Sequence, residues 1–279
     1  MCFFRKKRKQ KSRIANASTS EFPASWKKLL NEHLPFYRSL KPEEKQHFEE
    51  RVLQFLNTTK ITGIKTTVDD EDLALIGASA IVPIFAFPRW EYHNLQEVLL
   101  YPKHFDENHI IGSKSKAILG MVGYGYMEGK MILSKYSLWH GFKNKTDKQN
   151  TAIHEFVHLL DKADGEIDGV LGTLHERDLA LPWITLMEEK IKEIRENKSD
   201  IRAYGGTNHE EFLAVTSEYF FERPKLLEKK HPVLYEYMEL MFGQELADRN
   251  LVKKAKVTQH WDPCPCDSGK KFRTCCNRI

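Results

Sequence analysis

The sequence lacks most of what a membrane or secreted protein needs. It has no run of eighteen apolar residues, so no transmembrane helix is expected. The N-terminal MCFFRKKRKQKSR has no apolar stretch after its charges and so lacks the core of a secretory signal. Cysteine is scarce: of five, Cys2 stands alone and the other four fall in the last sixteen residues. A disulfide framework would be spread through the chain, so this clustering points to metal ligation in a reducing compartment, with the cytoplasm as the expected location. Net charge is also small, +4 over 279 residues. Arg5, Lys6, Lys7, Arg8, Lys9, Lys11 and Arg13 supply seven positive charges with no acid among them, which leaves the rest near −3. The body therefore offers nucleic acid no basic surface, and only the tail could do so. Gly123-Tyr124-Gly125-Tyr126 has neither the spacing nor the Lys-Ser/Thr ending of a phosphate loop.

What is present reads as a globular chain, 41% hydrophobic and 29% charged, long enough for one sizeable domain with appendages. Residues 1–20 are basic and then Ser/Thr/Asn-rich, the composition of a disordered tail. A helix is predicted from Pro42, with Phe48, Val52, Phe55 and Leu56 on its apolar face. A second should begin after Asp69-Asp70 and run through Leu73, Leu75, Ile76 and Ala80 to Pro83. The apolar run Ile81–Phe87 fits no single element. Leu95–Tyr101 has the pattern of a strand ending at Pro102. Met121–Tyr126 and Lys130–Ser134, joined by Met127-Glu128-Gly129, predict a β-hairpin whose edge could hold an extended peptide.

The most informative stretch is Thr151–Asp161, TAIHEFVHLLD. Positions i and i+4 of a helix share a face about 6 Å apart along the axis. His154 and His158 can therefore converge on one zinc ion, and Glu155 can serve a zinc-held water as general base. This is the H-E-x-x-H arrangement of metallopeptidases. Ile153, Phe156, Val157 and Leu160 make the segment an apolar-striped, buried helix. Lys162–Thr173 is acidic and Gly-containing, a flexible loop. Leu181–Asn197 should be helical, with Trp183, Leu186, Met187, Ile191 and Ile194 inside. A further helix should start near Thr207 or Asn208, with Glu210 and Glu211 in its first turn, and stop at Pro224.

A catalytic zinc takes three protein ligands and keeps one position open. Asp161 is a turn too far along its helix to reach the same ion, and its expected role is to orient a ligand or a loop. Asp164 would need a Gly where Asp161 stands, as in the metzincin pattern. Among the downstream acids, Glu211 and Glu218 are seven residues apart and share a face, whereas Glu210 is rotated by about 100°. Periodicity leaves Glu211 and Glu218 as equal candidates. One of them would bind metal and the other would hold a histidine in its tautomer.

HEFVHLLD, followed some fifty residues later by AYGGTNHEEFLAVTSEYFFERP, resembles the Mlc titration factor A family of zinc peptidases over about residues 22–245. The resemblance implies an α+β zincin-like metallopeptidase fold, mostly helical with a small mixed sheet, akin to the catalytic domain of anthrax lethal factor. It further implies zinc on His154, His158 and Glu211, Glu155 as general base and Tyr204 as oxyanion stabiliser. Gly205-Gly206 departs from the small Ala residues usual after that Tyr. The expected activity is zinc-dependent peptide hydrolysis, aminopeptidase-like and regulatory, by a cytoplasmic bacterial protein. The alternative it implies is a binding protein that sequesters a transcription repressor, its zinc site secondary.

In Asp262–Asn277, the cysteines Cys264, Cys266, Cys275 and Cys276 are spaced C-x-C-x8-C-C. Four thiolates can close a tetrahedral structural zinc site, and so short a segment would draw its folding energy from the metal. The spacing resembles the SEC-C module, which implies a protein or ribosome partner, with Asp267 where Gly is usual. Two zinc ions are thus expected, one catalytic and one structural. The expected domains are a tail at 1–20, the peptidase at 21–247, a linker at 248–261 and the zinc knob at 262–279.

Overall fold

The computed structural model describes residues 21–113, 117–144, 147–175 and 178–249. The tail at 1–20, most of the linker and the cysteine segment lie outside the described residues.

Helices α1 (Ala24–His33) and α2 (Pro35–Ser39) lead into α3 (Pro42–Thr58). Pro42 opens α3, and the Glu44 carboxylate accepts the Lys41 backbone N–H at 2.8 Å, satisfying a donor the helix cannot. Phe48, Val52, Phe55 and Leu56 are buried as their spacing predicts. After strand β1 (Lys60–Gly63), Asp69 and Asp72 close a reciprocal capping box with two 3.0 Å bonds and start α4 (Asp70–Ile84). From Asp72 to Ile84 every residue of α4 is buried, which makes it a core helix rather than an amphipathic one. The unassigned Ile81–Phe87 run is thereby explained: its first half continues α4 through Pro83, and the chain turns after Phe85.

Strands β2 (Glu97–Tyr101), β3 (Gly120–Val122) and β4 (Lys130–Ser134) complete a four-stranded sheet ordered β1-β2-β4-β3. The first three in that order are parallel, and β3 pairs antiparallel to β4 at the edge. Val98, Leu100, Met131 and Leu133 face the main core, while Tyr101 and Ile132 join Phe105 in a smaller cluster. Apolar residues on both faces are what parallel strands covered on both sides require. The hairpin forms with its second strand as predicted and its first shorter. Gly125 adopts φ +57°, so Gly125–Met127 curls into a 3-10 turn instead of extending β3 to Tyr126. Gly129, at φ +75°, makes the return turn.

The remainder is helical: α5 (Lys135–Lys143), α6 (Thr151–Asp161), α7 (Gly172–His175), α8 (Ala180–Arg195), α9 (His209–Glu222), α10 (Pro224–Lys230) and α11 (Pro232–Phe242). The predicted metal helix thus has its expected bounds as α6. It packs against α4, α5 and α9, and also against strands β3 and β4. Asp161 accepts the Gly169 backbone N–H through both oxygens, at 3.1 and 3.0 Å, so it orients the acidic loop as expected. Asp200, in the α8–α9 connection, gathers His231, Lys230, Lys148 and the Tyr219 hydroxyl within 2.7–3.1 Å. That cluster ties the approach to α6 to α9 and the chain beyond it. Among the described residues no helix is long and apolar enough to cross a membrane. The architecture is α+β, mostly helical around a small mixed sheet.

Candidate metal centre

Asn150 starts α6, its side-chain oxygen accepting the Ile153 backbone N–H at 3.2 Å. Asn208 does the same for α9 by accepting from Glu211 N at 3.0 Å. These caps fix where each helix begins, and so which residues face each other where α6 and α9 pack. His154 and His158 rise from one face of α6 with their Nε2 atoms 3.1 Å apart. Glu211, in the first turn of α9, brings Oε2 to 3.0 Å from His154 Nε2 and 3.7 Å from His158 Nε2.

The periodicity left Glu211 and Glu218 open, and the structure puts them on opposite edges of the same ring. Glu218 Oε1 lies 2.8 Å from His154 Nδ1. Its other oxygen accepts the Asn150 backbone N–H at 2.6 Å, and Arg202 donates to Oε1. At 1% exposure Glu218 is one of the most buried acids of the chain, not a surface residue. A buried carboxylate facing Nδ1 keeps the ring proton there, which turns the Nε2 lone pair towards Glu211.

Two acceptors, His154 Nε2 and Glu211 Oε2, therefore face each other, with His158 Nε2 beside them. Glu211 Oε2 is buried and accepts no hydrogen bond. Such a point requires a proton or a cation. The separations of 3.0, 3.1 and 3.7 Å bracket the ligand–ligand edge of about 3.4 Å in a tetrahedral zinc site with bonds of about 2.1 Å. The donor set, two imidazole nitrogens and one carboxylate oxygen, suits zinc, and these three residues could hold a metal ion. The electrostatics agree. Burial alone would lower His154, but Glu211 and Glu218 outweigh it and raise its pKa to about 10. Burial likewise acts to raise Glu211, and the two histidines hold it well below the usual carboxylate range. Both shifts describe a site built around a positive charge.

Glu155 is buried at 5% exposure, and that burial pushes its carboxyl upward against the pull of the two histidines. A raised carboxyl is suited to taking and returning a proton. Gly120 of β3 passes so close that a Cβ there would stand 2.5 Å from Glu155 Oε1, so the edge strand needs glycine at this point. Tyr204 donates its hydroxyl to Glu211 Oε1 at 2.8 Å, and its ring stacks near His154 at 6.0 Å between centroids. In this state the phenol therefore holds the third candidate ligand. Burial, the bond to Glu211 and that carboxylate's charge all raise the Tyr204 pKa above its ordinary value.

The group opens into a cleft of about 460 Å³, walled on one side by Ile118–Val122 along the sheet edge and on another by Glu210, Arg202 and Tyr204. The sequence reading missed three participants: Asn150, Arg202 and Gly120. The first was accessible as the Asn preceding a helical pattern; the other two depend on contacts across the fold. Cys264, Cys266, Cys275 and Cys276 lie outside the described residues.

Comparison with known proteins bears on the whole chain. Residues 4–243 match the family described as glucose-regulated metallo-peptidase M90, and residues 262–278 match the SEC-C motif. The uncharacterized protein slr2042 of Synechocystis is 28% identical over 234 residues, covering 80% of this chain and 85% of that protein. Mlc titration factor A of Yersinia pestis and of Yersinia pseudotuberculosis is 26% identical over 252 residues, 83% of this chain and 88% of theirs. With a match across most of its length, the chain belongs to the glucose-regulated metallo-peptidase M90 family and ends in a SEC-C motif.

Proposed function

We propose that the protein is a zinc-dependent peptidase with a zincin-like active site, holding the metal on His154, His158 and Glu211. The observation that carries this reading is the convergence of two imidazole nitrogens and one unpartnered carboxylate oxygen beside a buried glutamate in an open cleft. When bound, zinc supplies Lewis acidity, polarising a scissile carbonyl and acidifying a water. Glu155 takes the proton from that water and delivers it to the leaving amine. Glu218, held by Asn150 and Arg202, keeps His154 in the ligating tautomer. The Tyr204 hydroxyl turns from Glu211 to the carbonyl oxygen as that oxygen gains charge, in the manner of other oxyanion donors. An extended peptide lies along β3, whose outer edge has no strand partner among the described residues.

The domain limits at 1–20, 21–247, 248–261 and 262–279 belong to the same proposal, as do the cytoplasmic location and a second, structural zinc on Cys264, Cys266, Cys275 and Cys276. The SEC-C segment would then dock a protein or ribosome partner. A second reading rests on the name of the Yersinia relatives, Mlc titration factor A. By that analogy this chain captures a partner such as a transcription repressor, and hydrolysis is secondary. Digestion of a peptide library by the zinc-loaded chain and by Glu155→Gln separates the two. Cleavage by the first and none by the second supports the peptidase. Equal cleavage rejects Glu155 as the base, and no cleavage by either, with specific partner capture, favours the second reading.

A further inference from the structure

A second cleft, of about 240 Å³, shares no lining residue with the metal cleft. Helix α6 lies between them: His154, Glu155 and His158 line one, and Phe156 packs on Phe55 and Tyr92, two walls of the other, at 5.6 and 5.1 Å between ring centroids. At its floor is Arg51, 6% exposed. The guanidinium donates to the carbonyls of Ile84 at 2.6 Å and Trp90 at 2.8 Å. Those bonds use two of its five N–H donors, and neither partner carries a formal charge.

Ile84 is the last residue of α4, so its carbonyl brings the negative end of a helix dipole, worth about half an elementary charge. Burial works against the Arg51 charge, and the Glu91 carboxylate supports it only from beyond ion-pair distance. Among the described residues no carboxylate comes within ion-pair distance of Arg51. Glu91, on the rim, is bonded to the Gln54 amide instead. A buried cation with no carboxylate in contact is costly, and a cavity beside it gives room for an anion. The walls around it are aromatic: Trp90 and Tyr92 meet edge to face at 4.6 Å. Tyr92 spends its hydroxyl on the Ala80 carbonyl at 2.8 Å and so offers the cavity only its ring.

We propose that this cleft binds a small organic anion, its carboxylate against Arg51 and a flat apolar body against Trp90, Tyr92 and Phe55. The site is independent of the peptidase reading, because it uses none of the metal-centre residues.

Phenylacetate and its neutral twin phenylacetamide are suitable probes, titrated into the full-length chain by calorimetry and followed by saturation-transfer NMR. Phenylacetate should bind at least tenfold more tightly than phenylacetamide. Arg51→Lys keeps the charge and should weaken phenylacetate severalfold. Because Arg51 also holds two backbone carbonyls, a second variant is needed that leaves it in place. Thr58 is exposed at the mouth of the cleft and bonds only to carbonyls of its own helix. Thr58→Trp should therefore abolish binding while leaving zinc content unchanged. Equal affinity for the two probes, no phenylacetate binding at millimolar concentration, or phenylacetate binding that survives Thr58→Trp would each overturn the proposal. The last outcome would place the carboxylate at the metal centre instead.

Discussion

Glu218 stands on the Nδ1 side of His154 at 2.8 Å, while Glu211 stands on its Nε2 side at 3.0 Å. One ring is thus held between two carboxylates two turns apart on the same helix, and the two acids have different tasks. The first fixes the proton, and the second shares the lone-pair pocket.

That division makes Glu218→Gln a selective lesion. The amide keeps the shape but no longer polarises the ring, so zinc affinity should fall about 10–100-fold. Competition against a fluorescent chelator measures this directly. An unchanged affinity would show that the tautomer is set by other means.

Glu155→Gln should keep its zinc and lose hydrolysis by roughly 10²–10⁴-fold, the usual contribution of a positioned base. Metal content by mass spectrometry, taken beside the peptide assay, distinguishes this from simple loss of the ion.

Gly120→Ala tests the closeness of the edge strand. The added Cβ would lie 2.5 Å from Glu155 Oε1 and 2.6 Å from its Cγ. Either the glutamate or the strand must shift, so activity should drop at least tenfold while bound zinc is retained. Thermal unfolding would move less than activity, since the clash falls on a side chain beside a cleft and not on packed core.

Acid stability should depend on Asp200. Burial favours its neutral form, but His231, Lys230, Lys148 and Tyr219 outweigh that and hold its carboxyl well below the ordinary range. A carboxyl depressed on folding contributes stability above its unfolded value of about 3.9, and the contribution is lost as pH falls through the lower folded value. Denaturant midpoints should therefore decline below about pH 4. Asp200→Asn should remove part of that slope and cost on the order of 1 kcal/mol at neutral pH, with solvent screening limiting the loss. Parallel curves for the two proteins would count against the cluster.

Two zinc ions per chain should fall to one when residues 262–279 are removed, and to one when His154 and His158 are both replaced. Mass spectrometry of the three proteins under native conditions gives the count.

Much of this site was legible in the sequence because helical geometry converts spacing into direction. The pair His154 and His158 needed only the period of α6, and its bounds followed from the apolar pattern and the residues that flank it. The same period reduced the candidates for a third ligand to Glu211 or Glu218. It could not choose, because the choice depends on how α9 crosses α6, and a single helix carries no information about its partner. Arg202 and Gly120 were hidden for the same reason: each matters through a contact with a residue distant in sequence. The hairpin shows the converse. Its existence and return turn were readable at Gly129, but Gly125 also takes positive φ, and a strand pattern does not say which glycine will.

Asn150 caps the first turn of α6 with its side chain and gives its own N–H to Glu218. Loading the ion should therefore slow amide hydrogen exchange at the start of that helix, four residues before the first imidazole. Stripping the ion with a chelator should let the same turn fray. The opening of one helical turn would then report on occupancy of the centre without any substrate being present.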